Sequence, residues 1–72
     1  MTVSNTGNSV VFNDGKRKQS FPTGTVILTS DEDSKSINVK GVGSRRTLLT
    51  FTCDEVGYQT AEEAVNELSA LM

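Results

Sequence analysis

The chain has 72 residues, a formal net charge of −2, one cysteine and no histidine, which allows one domain with a small core. The lone cysteine excludes an intrachain disulfide, and without histidine a structural zinc site has almost no ligands to use. Catalysis by a Ser-His or Cys-His pair is excluded for the same reason, and the acidic balance argues against a general nucleic-acid binder. A domain this small commonly needs a stabilising partner, so we expect self-assembly or a permanent partner.

The amino-terminal part of the chain contains one clear strand. Residues 1–8 are polar apart from Val3, so they form either a short first strand over residues 2–6 or a flexible arm. The run Val10-Val-Phe12 predicts a strand over residues 9–13, because β-branched and aromatic residues favour strands.

A turn and a basic segment follow this strand. Asn13-Asp14-Gly15 predicts a primed hairpin turn, in which glycine supplies a positive φ. The returning strand, residues 16–21, begins with the three basic residues Lys16, Arg17 and Lys18. Consecutive basic residues suit an exposed edge strand, where lysine discourages unwanted pairing.

Three further strands are predicted after the break at Pro22-Thr-Gly24: residues 25–30, 35–41 and 45–53. The first is rich in β-branched residues, and the other two alternate apolar and polar residues. In the third, alternation places Thr47, Leu49, Phe51 and Cys53 on one face. Asp31-Glu-Asp33 in the first loop lacks the spacing and flanking helices of a calcium-binding EF-hand, so we interpret it as a solvated turn.

Residues 60–72 predict the only helix. Its apolar residues fall at helical spacing on one face: Ala61, Ala64, Val65, Leu68 and Leu71. Thr60 followed by Glu63 fits a capping box, in which the hydroxyl and the carboxylate each bond a backbone amide. A helix this short is marginal alone in water, so we expect its apolar face to dock on the sheet.

These elements predict an α+β fold, a single domain over residues 1–72. Residues 9–53 form an antiparallel meander of about five strands, because short connections favour antiparallel neighbours, and the helix packs on one face. A sheet that rolls into a small barrel is the alternative. The predicted sheet core consists of Val10, Phe12, Val26, Leu28, Ile37, Val39, Leu49 and Phe51.

Eight residues are candidates for an interface. By alternation, Val11, Ile27 and Leu48 lie on the face opposite the core, as a contact patch for another subunit or as the lining of a rolled sheet. The basic residues Lys16, Arg17, Lys18, Arg45 and Arg46 are candidates for an acidic partner surface or a nucleic acid. Nucleic acid is disfavoured, because aromatic stacking platforms are lacking.

The charges are also segregated along the sequence. All seven basic residues lie within residues 16–46, whereas residues 47–72 contain five acidic residues and no basic one. Such a dipolar chain is suited to attract its own copies. Cys53 lies beside two carboxylates, which suppress thiolate formation, so we interpret it as structural and expect no cofactor, no metal and no enzymatic activity.

Localisation follows from the lack of a recognisable targeting pattern. No apolar run reaches the eighteen or so residues that span a membrane, and the polar start of the chain is unlike a signal peptide. We expect a cytoplasmic protein that does not contact a membrane.

Four segments together resemble the small accessory structural proteins of tailed bacteriophages: Val10-Val-Phe-Asn-Asp-Gly15, Phe21-Pro-Thr-Gly-Thr-Val-Ile27, Ser44-Arg-Arg-Thr-Leu-Leu-Thr-Phe51 and Thr60-Ala-Glu-Glu-Ala-Val-Asn-Glu-Leu68. Proteins of that kind decorate heads, join head to tail or line tails in many copies. The resemblance implies a virion component that oligomerises or attaches to a larger scaffold and has no catalytic role. The alternative is a small regulatory module that binds protein or nucleic acid through the basic strand residues.

Overall fold

The computed structural model describes residues 2–44 and 46–72. Within them lie six strands and two helices: β1 (Thr2–Asn5), β2 (Ser9–Asn13), β3 (Lys18–Pro22), β4 (Val26–Asp31), β5 (Ser36–Gly41), β6 (Thr47–Thr52), α1 (Cys53–Val56) and α2 (Ala61–Ser69). The strands form two antiparallel three-stranded sheets, in the orders β1-β2-β3 and β4-β5-β6. The α+β class is therefore confirmed. The predicted single sheet of about five strands is not, and no strand pairing among the described residues closes a barrel.

The amino-terminal segment forms a strand. β1 pairs with β2 in the register Thr2 with Asn13 through Asn5 with Val10. Val3 lies opposite Phe12 and is buried, although it is the only apolar residue of the strand. Of the two interpretations of this segment, the short first strand is therefore the one that agrees with the structure.

The hairpin between β2 and β3 is closed by a side chain. The Asp14 carboxylate accepts hydrogen bonds from the backbone N–H of Lys16, at 2.8 Å, and of Arg17, at 2.6 Å, while Gly15 has φ +90°. Asp14 is not at positive φ, so Asp14 and Gly15 are not the central pair of a type I′ turn; the positive φ of the loop is supplied by Gly15. The loop occupies residues 14–17, and β3 begins at Lys18, two residues later than predicted.

A β-bulge interrupts the pairing of β6 with β5. Leu49 pairs with Val39, whereas Thr47 pairs with Lys40, so Leu48 is an extra residue on β6. A bulge breaks the two-residue alternation of a strand. The prediction that Thr47 and Leu49 share a face is therefore wrong.

The prediction of a single helix is wrong, because a one-turn helix follows β6 directly. Cys53, predicted as the end of the strand, is its first residue and is buried. The Thr52 hydroxyl accepts from the Glu55 N–H at 3.2 Å, and the Glu55 carboxylate accepts from the Thr52 N–H at 3.2 Å. This reciprocal capping box starts α1, and Gly57 at φ +80° ends it.

The predicted carboxy-terminal helix is confirmed, over a shorter range. The Thr60 hydroxyl accepts from the Glu63 N–H at 3.1 Å, and the Glu62 N–H donates to the Glu32 carboxylate in the β4–β5 loop at 2.8 Å. The helix ends at Ser69, so Leu71 falls outside the apolar face and is 52% exposed.

The core lies between the inner faces of the two sheets. One cluster joins both sheets and the end of α2, and consists of Val3, Val10, Phe12, Val26, Val39, Phe51 and Leu68. The Phe12 and Phe51 rings stack across it with centroids 6.1 Å apart. A second cluster packs the two helices on β5 through Ile37, Cys53, Ala61 and Ala64. The predicted core is confirmed, with Leu28 and Leu49 partly buried at its border.

Candidate interaction surface

The three apolar interface candidates do not share one face of one sheet. Val11 lies in β2 between Ser4 and Ser20 of the neighbouring strands, whereas Ile27 lies in β4 and Leu48 in β6. Because the inner faces of both sheets meet in one core, alternation directs Val11 and Ile27 away from that core on different sides. The single patch predicted from one continuous sheet is not assembled.

Ile27 and Leu48 nevertheless have a property in common. They lie on the two outer strands of the sheet β4-β5-β6, and they are 46% and 42% exposed. Both edges of this sheet therefore carry a large apolar side chain in contact with water. Val11 is half-buried and flanked by serines, so it offers much less apolar surface.

The basic candidates are exposed but dispersed. Lys16 and Arg17 lie in the β2–β3 loop, Lys18 opens β3, and Arg46 precedes β6. Arg45 lies outside the described residues. The backbone N–H groups of Arg17 and Lys16 hold the pKa of the Asp14 carboxyl below its usual value of 3.8, because hydrogen bonds to a carboxylate favour its charged form. The loop thus holds a fixed negative charge among the positive ones.

One groove brings an apolar and a basic candidate together. It has a volume of about 220 Å³ and lies between the β2–β3 hairpin and β6. We call it the β6 groove; it is lined by Phe12, Asp14, Arg17, Gln19, Leu48, Leu49, Thr50, Phe51 and Glu55. Its base is aromatic and aliphatic, and its rim carries both signs of charge. A surface of this kind is suited to an extended polypeptide.

The strand beside this groove is an open sheet edge. β6 pairs with β5 on one side only, and its sequence Thr-Leu-Leu-Thr-Phe-Thr has no charge, proline or glycine. Such a strand is a ready template for pairing with another chain. The bulge affects only its beginning, since residues 49–52 pair regularly with β5.

The other three outer strands are protected by devices known for edge strands. β1 has four residues, and the Asn5 side chain donates a hydrogen bond to the carbonyl of Met72. β3 contains Lys18 and Pro22. β4 lies against α2, whose start is bonded to Glu32. β6 is therefore the least protected edge of the described chain.

Two other depressions offer less specific chemistry. A wide one of about 710 Å³ lies by the β4–β5 loop and includes Asp33, Cys53, Asp54 and Tyr58. Among the described residues no three potential metal ligands lie together, and the Cys53 thiol is buried. The other, about 470 Å³, is lined by residues of β4 and of the end of the chain, among them Ile27, Ser69 and Met72. Neither groups side chains for a recognisable reaction.

Two features of this surface were missed at the level of sequence, although each left a signal. The signal for the open edge is the uncharged run between Arg46 and Asp54. The signal for the start of α1 is the spacing of Thr52 and Glu55, which fits a capping box. The role of Phe12 in the groove left no signal, because it depends on how the two sheets pack.

Comparison with protein-family models, curated proteins and solved structures finds no match for this chain. In the described part of the chain no helix is long and apolar enough to cross a membrane.

Proposed function

We propose that this protein is a non-enzymatic structural module that assembles with copies of itself. The observation that carries the proposal is the exposure of Ile27 and Leu48 on the two outer strands of one sheet, 46% and 42% respectively. Fully burying a side chain of this size contributes about 1.5–3 kcal/mol. Contacts between copies that cover both edges would supply part of the stabilisation that a small domain otherwise lacks.

The cellular setting that we propose is a virion. It derives from the resemblance of four segments to accessory structural proteins of tailed bacteriophages, which act in many copies. In that setting the chain is made in the cytoplasm and incorporated during assembly, either as an oligomer or on a larger scaffold protein.

The test is the solution mass of the purified protein, measured by light scattering at low and high salt over a range of concentrations. We expect an oligomer that persists at high salt, because the proposed contacts are mainly apolar and salt does not screen them. A protein that stays monomeric at every concentration would overturn self-assembly.

Matched variants locate the contacts. Replacing Ile27 and Leu48 together with threonine keeps a β-favouring residue at both edges and removes the apolar surface. We expect the oligomer of this variant to dissociate, so that its solution mass falls while its circular dichroism spectrum stays unchanged. Val42→Thr is the control, because Val42 is 57% exposed but lies in the turn after β5. Equal effects of the two changes would contradict the proposal.

A second candidate function uses the exposed basic side chains of Lys16, Arg17, Lys18 and Arg46 to bind an acidic protein surface or a nucleic-acid backbone. Binding of this kind weakens steeply as salt rises. Salt-sensitive binding to an anionic polymer, lost in Lys16→Gln/Lys18→Gln, would favour this candidate over self-assembly.

A further inference from the structure

We propose that two copies of this chain pair through their β6 strands, antiparallel and around a two-fold axis, so that the two β4-β5-β6 sheets form one six-stranded sheet. This inference rests on the proposed function and names the contact at one of the two edges, that of β6. A two-fold contact uses the same surface on both copies, so the strand must be complementary to itself.

The exposed edge of β6 meets the first requirement for pairing. It is uncharged, free of proline, and bonded to a neighbour on one side only. Threonine, leucine and phenylalanine are suited to cross-strand contacts. The other three outer strands are short, charged or covered, so pairing through β6 leaves the protected edges unchanged.

The charges at the two ends of β6 meet the second requirement. Arg46 precedes the strand, and Asp54 follows it; both are exposed. In an antiparallel pair the beginning of one strand lies beside the end of the other. Asp54 lies in the acidic first turn of α1, directly after β6, so each Arg46 lies near that acidic turn of the second copy, and this arrangement occurs twice in the dimer. Parallel pairing would instead bring like charges together.

The regular part of β6 limits the joint. Residues 49–52 pair without interruption with β5, whereas Leu48 is the extra residue of the bulge. The two copies therefore pair through residues 49–52, and the exposed Leu48 side chains lie at the two ends of the joint. The β6 groove, with Leu49 and Phe51 along it, runs beside the joint.

The first test places a charge at the two ends of the proposed joint. We expect Leu48→Lys to weaken self-association at least about tenfold, because a lysine on an edge strand opposes pairing. Val42→Lys introduces the same charge at an exposed position outside the strands, and we expect it to leave association unchanged. Both variants are measured by sedimentation equilibrium, with circular dichroism to verify the fold.

The second test addresses the charges at the two ends of β6. We expect Arg46→Glu to weaken association, since it places a like charge near Asp54, and Arg46→Glu/Asp54→Lys to restore it. Hydrogen exchange adds a direct readout: backbone amides within residues 49–52 gain protection as the concentration rises, which a purely side-chain contact would not produce.

The outcomes separate this inference from the proposed function. A monomer at every concentration overturns both. An oligomer that is insensitive to Leu48→Lys, with β6 amides that exchange alike at low and high concentration, overturns the β6 joint and leaves self-assembly standing. Dissociation by Leu48→Lys together with concentration-dependent protection of β6 supports the joint. Failure of the charge-swapped pair to recover overturns the charge contacts proposed at the two ends of β6.

Discussion

The two sheets have the same strand order, yet their middle strands are buried by different neighbours. In β1-β2-β3, the strand β2 buries Val10 and Phe12 against the opposite sheet, and its outer face is polar around Val11. In β4-β5-β6, the strand β5 buries Val39 against that same sheet and Ile37 against the two helices. Both helices and the first sheet therefore pack on the second sheet. We call β4-β5-β6 the scaffold sheet and β1-β2-β3 the covering sheet.

The largest expected effect comes from a change in the middle of the scaffold sheet. Ile37 is completely buried and contacts both helices, so Ile37→Ala is expected to cost about 2–5 kcal/mol of unfolding free energy. Val10→Ala, its counterpart in the covering sheet, removes less apolar volume and is expected to cost about 2 kcal/mol. Urea denaturation measures both, and a larger loss for Val10→Ala would reverse the roles of the two sheets.

The contact between the sheets is tested by a double-mutant cycle on its stacked rings. Phe12→Leu and Phe51→Leu each remove the stacking of Phe12 on Phe51, so we expect a coupling free energy of about 0.5–1.5 kcal/mol. Phe12→Leu combined with the distant Val42→Ala serves as the control and should be additive. No coupling in the first cycle would mean that the two rings act independently.

The hairpin loops of the two sheets differ in the residue at positive φ. Gly15 in the first has φ +90° with no atom within 4 Å of an added Cβ, so Gly15→Ala should cost about 1 kcal/mol through backbone strain alone. Lys35 in the second has φ +50°. Lys35→Gly should be nearly neutral, because relief of strain is offset by the greater freedom of glycine in the unfolded chain.

Equilibrium unfolding of both loop variants checks this contrast. Lys40→Gly is the reference for a lysine inside a strand, where glycine is expected to destabilise by about 0.5–1 kcal/mol. A loss as large for Lys35→Gly as for Lys40→Gly would show that no strain is present at Lys35.

The stability of α2, which packs on the scaffold sheet, depends in part on the cap of its first turn. Thr60→Ala removes the acceptor for the Glu63 N–H and is expected to cost about 1 kcal/mol. Thr60→Ser keeps the hydroxyl and should recover most of this loss. Thermal unfolding followed by helix ellipticity compares the two, and equal losses would exclude capping as the cause.

The smallest expected effect is a pH dependence in the covering sheet. The pKa of Asp14 is lowered in the folded chain, so its carboxylate stabilises the fold above the unfolded value near 3.8, and this contribution is lost as the pH falls through the folded value. Wild type and Asp14→Ala should therefore differ slightly in urea midpoint near neutral pH and converge in strong acid. A difference that grows as the pH falls would contradict this sign.

Much of the local structure could be predicted from the sequence because it depends on neighbours along the chain. β-branched content and alternation identified β2, β4 and β5, and the helical spacing of Ala61, Ala64 and Leu68 identified α2 and the face that it buries. The acidic helix start and the polar cap at Thr60 act within one turn, so they too are readable without a fold.

The division into two sheets was decided by tertiary structure. Short connections favour neighbouring antiparallel strands, and this rule alone joins β3 to β4 in one meander. In the folded chain β3 and β4 are edges of different sheets, because their inner faces enclose one core around Phe12 and Phe51. Burying apolar side chains of both sheets in one core stabilises the fold more than backbone pairing between β3 and β4 would. Water can bond the unpaired backbone groups of an exposed edge instead, so little is lost there.

The candidate surface was decided in the same way. The residue types of the interface were evident from the sequence, since Ile27 and Leu48 are apolar at positions outside the predicted core. Their placement on opposite edges follows from the sheet division, and the openness of β6 follows from which outer strands the helix and the chain terminus cover. Alternation assigns a side chain to a face, but only the packing of distant segments determines which faces and edges remain in contact with water.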